Sequence, residues 1–245
     1  MATAPNPAPA FTLIRREEVA HGTMAFYFTR PAGFDFRPGQ AIDLTLIDPP
    51  ETDGAGNTRA LSIASAPSDP EIMVAARMRD TAFKRVLCDA SIGAEVKIDG
   101  PFGALTLHKN TAKPAVFLAG GIGITPFLSI IRQATRDRSP HQIYLFYSNR
   151  RPEDAAFLAE LQQHAKDNPN FHLVATRTQV EDSSREWAGE SGIITREMVT
   201  RYLPSLQGPI YYLAGPPAMV AAMRAMCVEA GVDEDEIRTE DFAGY

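Results

Sequence analysis

Cysteine is scarce in this chain of 245 residues: Cys88 and Cys227 are the whole supply. Two thiols so far apart cannot build a disulfide framework, a four-cysteine zinc site or an iron–sulfur cluster within the chain. They read as ordinary thiols of a reducing compartment, and a cytoplasmic location is expected. An excess of positive charge is also missing. Lys and Arg number 24 against 30 Asp and Glu, a net charge of −6, which makes phosphate-driven nucleic-acid binding a poor reading. Residues 1–10 lack a basic start and an apolar run, so no signal peptide is expected there, and their Ala/Pro character reads as a loose tail. Pro114 to Ile131 is uncharged and approaches the length of a membrane span, but Gly120, Gly121, Gly123 and Pro126 break its centre into a strand, a turn and a new helix. The five histidines, His21, His108, His141, His164 and His172, show no metal-ligand spacing, and no metal site is expected. Ser62 and Ser65 lack the G-x-S-x-G context of a hydrolase nucleophile.

What remains is an ordinary globular composition, 44% apolar and 22% charged, and length enough for one large or two ordinary domains. In the first hundred residues short apolar runs, Ala25–Phe28, Ala41–Ile47, Arg59–Ala64, Ile72–Arg77 and Glu95–Ile98, alternate with Pro/Gly/Asp turns. That spacing predicts an antiparallel barrel or sandwich, with one helix from Thr81 to about Asp89 presenting Phe83, Val86 and Leu87 on one face. After Pro101–Pro114 the rhythm changes. Ala115–Ala119, Gln142–Tyr147, Phe171–Thr176 and Ile210–Ala214 read as apolar strands, with helices expected from Pro126, Pro152 to His164, and Pro217 to Ala230. Alternating apolar strands and helices imply a parallel sheet covered on both faces. The expected fold class is a β-barrel over residues 11–105 followed by a parallel-sheet α/β domain over residues 106–245. Trp187, in a polar loop, reads as an anchor packing on that domain.

Three segments carry the chemical signal. Ala119-Gly120-Gly121-Ile122-Gly123-Ile124-Thr125-Pro126 follows a strand and opens a helix. Glycines allow a ligand close to the backbone, and a helix N-terminus offers free N–H groups to a diphosphate. Thr125 suits the N-cap and Pro126 the first helical position. The segment is neither a G-x-G-x-x-G fingerprint nor a P-loop, and such a turn can also be purely structural. Leu213-Ala214-Gly215-Pro216-Pro217-Ala218-Met219 repeats the strand–glycine–helix pattern. If the two strands are neighbours, both turns share the carboxyl edge where open α/β sheets bind ligands. In the barrel half, Arg59-Ala60-Leu61-Ser62 places a phosphate-competent arginine at the head of a small-residue strand. Strand alternation puts Leu61 and Ser62 on opposite faces, so one ligand can serve both only at the strand's end.

Together these segments resemble, in order and over nearly the whole chain, the ferredoxin–NADP reductase family of flavoproteins. That family has an Arg-x-Tyr-Ser strand for FAD, a Gly-x-Gly-x-x-Pro turn for the nicotinamide nucleotide and a late Cys-Gly-Pro-like turn beside the nicotinamide. The corresponding residues are Arg59 to Ser62, Gly121 to Pro126 and Ala214 to Pro217, and Gly100-Pro101-Phe102-Gly103 is similar to the turn between the halves. The resemblance implies that Arg59 binds the flavin diphosphate, that Ser62 lies near flavin N5, and that Leu61 stands where a tyrosine usually stacks on the ring. It makes Arg77 to Lys84 a second flavin segment, with Arg77, Thr81, Phe83 and Lys84 as its contacts; for Thr81 plain N-capping is a compatible role. Gly120, Gly121, Gly123, Thr125 and Pro126, together with Gly215, Pro216, Pro217 and Met219, become nucleotide contacts. Phe242 or Tyr245 becomes an aromatic cover of the flavin, with Glu240 near the nicotinamide, although chain ends often fray. Ala214 replaces a frequent cysteine, so no thiol is needed for the hydride step. At the adenosine end, Ser148, Asn149, Arg150 and Arg177 lean towards the 2′-phosphate of NADPH, with NADH the other choice; each arginine can equally be a solvated charge.

The implied activity is a flavin-dependent NAD(P)H oxidoreductase, with hydride transfer to FAD and then single electrons to a separate acceptor such as a ferredoxin, a flavodoxin or an oxygenase component. Ser62, Glu240 and Phe242 are the residues expected nearest the chemistry. Two other readings stay open: a cofactor-binding electron-transfer subunit with little turnover of its own, and an NAD(P)H-dependent ferric or flavin reductase.

Overall fold

A computed structural model of the chain describes residues 11–179 and 187–242. The expected tail over residues 1–10 lies outside them. The first half holds β1 (Phe11–Ala20), β2 (Thr23–Thr29), β3 (Ala41–Leu46), β4 (Thr58–Ser62), β5 (Glu71–Arg77), helix α1 (Ala82–Asp89) and β6 (Glu95–Phe102). The strands pair antiparallel in the order β4-β3-β6-β1-β2-β5. The two edges meet where Ile63 bridges Val74 and the Ala64 N–H donates to the Met73 carbonyl at 2.8 Å, so the sheet closes into a barrel. Phe26, Phe28, Ile42, Leu44, Ile63 and Val74 fill its interior, and α1 adds Phe83 and Leu87 to the same core.

Strand β1 was not among the expected elements. Its centre is Arg15-Arg16-Glu17-Glu18, and register shifts at Leu13/Arg15 and Glu18/Ala20 interrupt the period-2 alternation. The buried anchors Phe11 and Leu13 precede the charged run, whose side chains lie along the barrel wall: the Arg15 guanidinium covers the Tyr27 ring at 3.2 Å.

The second half alternates β7 (Ala115–Gly120), α2 (Ile124–Arg136), β8 (Ile143–Asn149), α3 (Leu158–Asp167), β9 (Phe171–Arg177), β10 (Glu190–Ser191), α4 (Arg196–Tyr202), β11 (Ile210–Gly215), α5 (Pro217–Glu229) and β12 (Ile237–Asp241). These strands form a parallel sheet in the order β10-β9-β8-β7-β11-β12. The order reverses at β7, which lies between β8 and β11, so a crevice opens at the carboxyl ends of β7 and β11. The central strands β7 and β11 are buried along their whole length, as a sheet covered on both faces requires.

Two helix starts differ from the sequence expectation. Helix α2 begins at Ile124, because a 3-10 turn over Gly121–Gly123 leads directly from the strand into the helix and puts Gly123 at the N-cap. Thr125 is therefore not the cap: its hydroxyl donates to the Ile122 carbonyl at 3.0 Å, and Pro126 sits in the first turn rather than at its first position. Helix α3 begins at Leu158, not Pro152. Pro152–Asp154 form a separate 3-10 turn, and Phe157, at φ +61°, breaks the path between them.

The barrel and the α/β layer are joined along α2. Arg132 binds Glu160 through two hydrogen bonds of 2.5 and 2.8 Å and also donates to the Ala64 carbonyl of the barrel at 3.2 Å. Burial alone pushes the Glu160 carboxyl up, but the His164 and Arg132 contacts outweigh it and hold the carboxyl at about 2. Arg132→Met is expected to remove charge-assisted bonds from a mostly buried carboxylate, costing about 2 kcal/mol and lowering the melting temperature by roughly 4–8 °C. Because Glu160 titrates below its unfolded value, its contribution is present above the ordinary carboxylate range and is lost as pH falls towards 2. Melting curves of both proteins should therefore converge in acid.

Candidate active site

At the open end of β4 and β5 a cavity of about 400 Å³ is lined by Arg59, Leu61, Ser62, Arg77, Thr81, Phe83, Lys84 and Phe242, with Ala60, Ala75, Ala76, Arg79 and Ile122 completing the wall. Larger hollows of about 590 and 680 Å³ lie elsewhere, the first walled by ion-paired side chains, so size does not select the site. Leu61 and Ser62 both reach this cavity because β4 ends at Ser62 and the cavity sits across that end.

The lining suits a ligand with an anionic part and a flat apolar part. Its small and apolar side, Ala75, Ala76, Leu61, Phe83 and Ile122, adjoins four cations, Arg59, Arg77, Arg79 and Lys84. Burial first, and then Arg79, Arg59 and Arg77, hold the Lys84 ammonium below its usual value, as expected where positive charges crowd without enough anions. Lys84 donates to the Arg77 carbonyl at 2.6 Å. Thr81 is the N-cap of α1, its hydroxyl accepting the Lys84 N–H at 3.4 Å. Arg59 lies over the Phe83 ring, 5.0 Å from its centroid. A flavin nucleotide combines those two parts, so this set of residues fits its ring on the apolar wall and its phosphates among the cations.

The far wall comes from the α/β half. Ser62 donates to Glu240 Oε1 at 3.2 Å, a contact spanning the sequence from the barrel to the last strand. Burial pushes the Glu240 carboxyl up, and the Ser62 bond partly opposes the rise. Phe242 continues from β12, donating its N–H to the Gly215 carbonyl at 2.9 Å, and its side chain joins the cavity wall. Tyr245, the alternative aromatic cover, lies outside the described residues.

The two glycine turns meet at the carboxyl ends of β7 and β11. A Cβ on Gly123 would stand 2.3 Å from the Ala214 carbonyl oxygen, and one on Gly215 3.0 Å from the Gly120 nitrogen. Gly121 has φ +51°. Met219 fills the space beside Gly120, and Pro216 and Pro217 start α5. Thr125 and Pro126 are buried behind the turn. Glycine is thus required here for close approach of two backbone turns, the same property that lets a ligand lie against them.

At the ends of β8 and β9, Asn149 and Arg177 are register partners. Both amide atoms of Asn149 and the Arg177 Nε are buried without a hydrogen-bond partner among the described residues. Ser148 is half-buried and Arg150 exposed beside them. The first acids after β8 are engaged: Asp154 binds Arg151 at 2.9 Å, with Glu153 3.7 Å from the same guanidinium.

Residues 117–225 match the oxidoreductase NAD-binding domain family. The chain superposes on a ferredoxin–NADP reductase from Neisseria gonorrhoeae, described with bound FAD and NADP, with a TM-score of 0.79 at 21% identity, covering 95% of this chain and 98% of that one. It superposes on a cytochrome P450 reductase of Amycolatopsis with a TM-score of 0.80 at 23% identity, covering 95% and 69%. The fold is that of the ferredoxin reductase-like FAD/NAD-binding proteins. In sequence it is 30% identical over 218 residues to the reductase component of propane 2-monooxygenase from Rhodococcus jostii, over 86% of this chain and 57% of that one. The chain thus spans a little under three fifths of that relative's length.

Five wall residues, Ala60, Ala75, Ala76, Arg79 and Ile122, were not singled out as contacts by the sequence. Ala60 lies between Arg59 and Leu61, Ala75 and Ala76 lie inside an apolar strand, Arg79 lies within the second flavin segment without being singled out, and Ile122 sits between two glycines. The one available signal was the pair of alanines, small side chains where a flat ring needs room.

Proposed function

We propose that this chain is an FAD-dependent NADPH reductase that passes single electrons to an oxygenase component, a ferredoxin or a flavodoxin. The observation that carries the reading is the Ser62–Glu240 contact at 3.2 Å. It joins the cationic and apolar cavity of the barrel to the strand next to the two glycine turns, so a flavin in the first and a nicotinamide at the second would meet at one wall. A bound flavin accepts a hydride and releases electrons one at a time.

The chain's own residues bind and align. Arg59, Arg77, Lys84 and the start of α1 would hold phosphates, and Thr81 fixes that helix start. Leu61 and Phe83 would support the ring, and Phe242 would cover it until a nicotinamide takes its place. Gly120, Gly121, Gly123 and Gly215 let the nucleotide lie against the turns, with Pro216, Pro217 and Met219 shaping the nicotinamide end. Ser62 holds Glu240 at the meeting point, where a carboxyl of raised pKa can keep or release a proton.

The choice of NADPH rests on Asn149, Arg150 and Arg177, which present donors at the ends of β8 and β9, while Glu153 and Asp154 are turned to Arg151. Arg177→Ala is expected to lower NADPH use about tenfold and leave NADH use nearly unchanged. Equal losses with both would remove the arginine from the specificity argument. The acceptor lies outside these residues, since two cysteines cannot hold an iron–sulfur cluster. The Rhodococcus relative is a reductase component, which supports an oxygenase as the recipient.

The test is anaerobic mixing of the yellow protein with NADPH or NADH, followed by a panel of one-electron acceptors. Rapid bleaching and turnover with a protein acceptor is the expected result. Unchanged colour would favour a cofactor-binding subunit, and turnover confined to ferric chelates or free flavin would favour a ferric or flavin reductase.

A further inference from the structure

The loop between β3 and β4 places a carboxylate among the donors assigned to the flavin's phosphates. Asp53 Oδ2 accepts the N–H of Ala82, the first residue of α1, at 3.1 Å. Its Oδ1 accepts the Ala55 N–H at 3.0 Å and stands 3.4 Å from the Arg59 guanidinium. The other terminal nitrogen of Arg59 donates to the carbonyls of Ala55, Gly56 and Thr58 at 2.9, 2.9 and 2.8 Å. One loop therefore engages both the arginine and the helix start.

We propose that Asp53 is a built-in competitor for the flavin's phosphates: its carboxylate engages Arg59 and the N-terminus of α1, and a phosphate taking those donors displaces the loop that carries it. The inference rests on the flavin reading of the cavity.

Three features support displacement rather than a fixed positioning role. The loop is mostly exposed, with Glu51, Thr52, Gly54 and Ala55 on the surface, so little buried area opposes its movement. Asp48 at φ +45° and Gly56 at φ +75° are left-handed turns at its two ends, where a change of backbone path is absorbed. The charge balance is also uneven. Asp53 reaches Arg59 alone among the four cavity-lining cations Arg59, Arg77, Arg79 and Lys84, whereas a phosphate ester or diphosphate brings more negative charge and more acceptor oxygens to that cluster. Asp53 thus moderates an otherwise unpaired cationic site and yields to a stronger anion.

Asp53→Asn is the informative variant. Its side-chain oxygen can still accept the Ala55 N–H and keep the turn, but its amide nitrogen cannot accept from Ala82 and carries no charge to Arg59. Flavin would be stripped from the whole protein and FAD titrated back by fluorescence quenching, alongside riboflavin, which has no phosphate. The expected result is an FAD dissociation constant about tenfold lower in the variant, faster association, and unchanged affinity for riboflavin. Asp53→Ala should move in the same direction. Equal or weaker FAD binding in both variants would show that Asp53 positions Arg59 instead, and would overturn the proposal. Arg59→Ala separates the two levels: if it binds FAD as well as the parent, the flavin reading fails; if it loses FAD while Asp53→Asn gains nothing, only the competitor fails.

Discussion

Arg59→Ala is expected to lower FAD affinity by about a hundredfold while leaving the fold intact. A charge-assisted hydrogen bond contributes on the order of 1.5–3 kcal/mol, and an arginine can give a phosphate two of them. One bond lost outright and a second partly replaced by water leads to two orders of magnitude. The fold should tolerate the change because, among the described residues, the Arg59 guanidinium hydrogen-bonds to Asp53, Ala55 and Gly56 of the exposed β3–β4 loop and to Thr58 at the start of β4. No barrel-core side chain depends on those bonds. Isothermal titration of stripped protein with FAD, with a thermal melt of the same sample, checks both halves. Parent-like flavin content in the variant would exclude Arg59 from the site.

The second large effect is expected at Gly123. Its Cβ would stand 2.3 Å from the Ala214 oxygen, 2.5 Å from the Ala214 carbon and 2.7 Å from the Gly215 nitrogen, all of them backbone. Gly120 presents a softer case, since its nearest neighbour is the flexible Met219 side chain. Gly123→Ala must therefore push the β11 turn away from α2, and overpacking of that kind costs about 1–3 kcal/mol. The melting temperature should fall by roughly 3–10 °C. Nucleotide affinity, read from the perturbation of the flavin spectrum, should fall more than tenfold, because both turns that would receive the nucleotide are displaced. Flavin content should fall less than nucleotide affinity, since the barrel cavity meets the two turns through Ile122 and through Phe242, whose N–H bonds the Gly215 carbonyl, while its cations lie on the barrel side. Unchanged nucleotide affinity would mean that the two turns are a structural joint and no more.

These two variants probe the halves separately, and Arg177→Ala probes the far end of the nucleotide. A protein that loses flavin with Arg59, nucleotide with Gly123 and NADPH preference with Arg177 would have its site mapped along its length. Ser62 and Glu240 join the two halves, and no single half contains that contact.

Much of the architecture was legible because periodicity and punctuation survive in a single sequence. Apolar strands broken by Pro/Gly turns marked the barrel, and uniformly apolar strands followed by glycine turns marked the parallel sheet. Strand β1 escaped because its charged centre and two register shifts break the alternation on which such reading depends. The start of α2 was misplaced because Thr125 and Pro126 carry cap preferences, while the 3-10 turn at Gly121–Gly123 had already begun the helix. Local preference gave way to the need to bring Gly123 against Ala214.

The sequence by itself determined the two-part organisation, the glycine turns and the arginine heading a small-residue strand, since each depends on residues adjacent in the chain. Only the tertiary structure decided that Ser62 meets Glu240, that Ile122 and the Ala75–Ala76 pair line the same cavity as Arg59, and that Asp53 takes the donors at the start of α1. Those are long-range juxtapositions created by closing the barrel and reversing the strand order at β7, and no spacing along the chain encodes the distance between them.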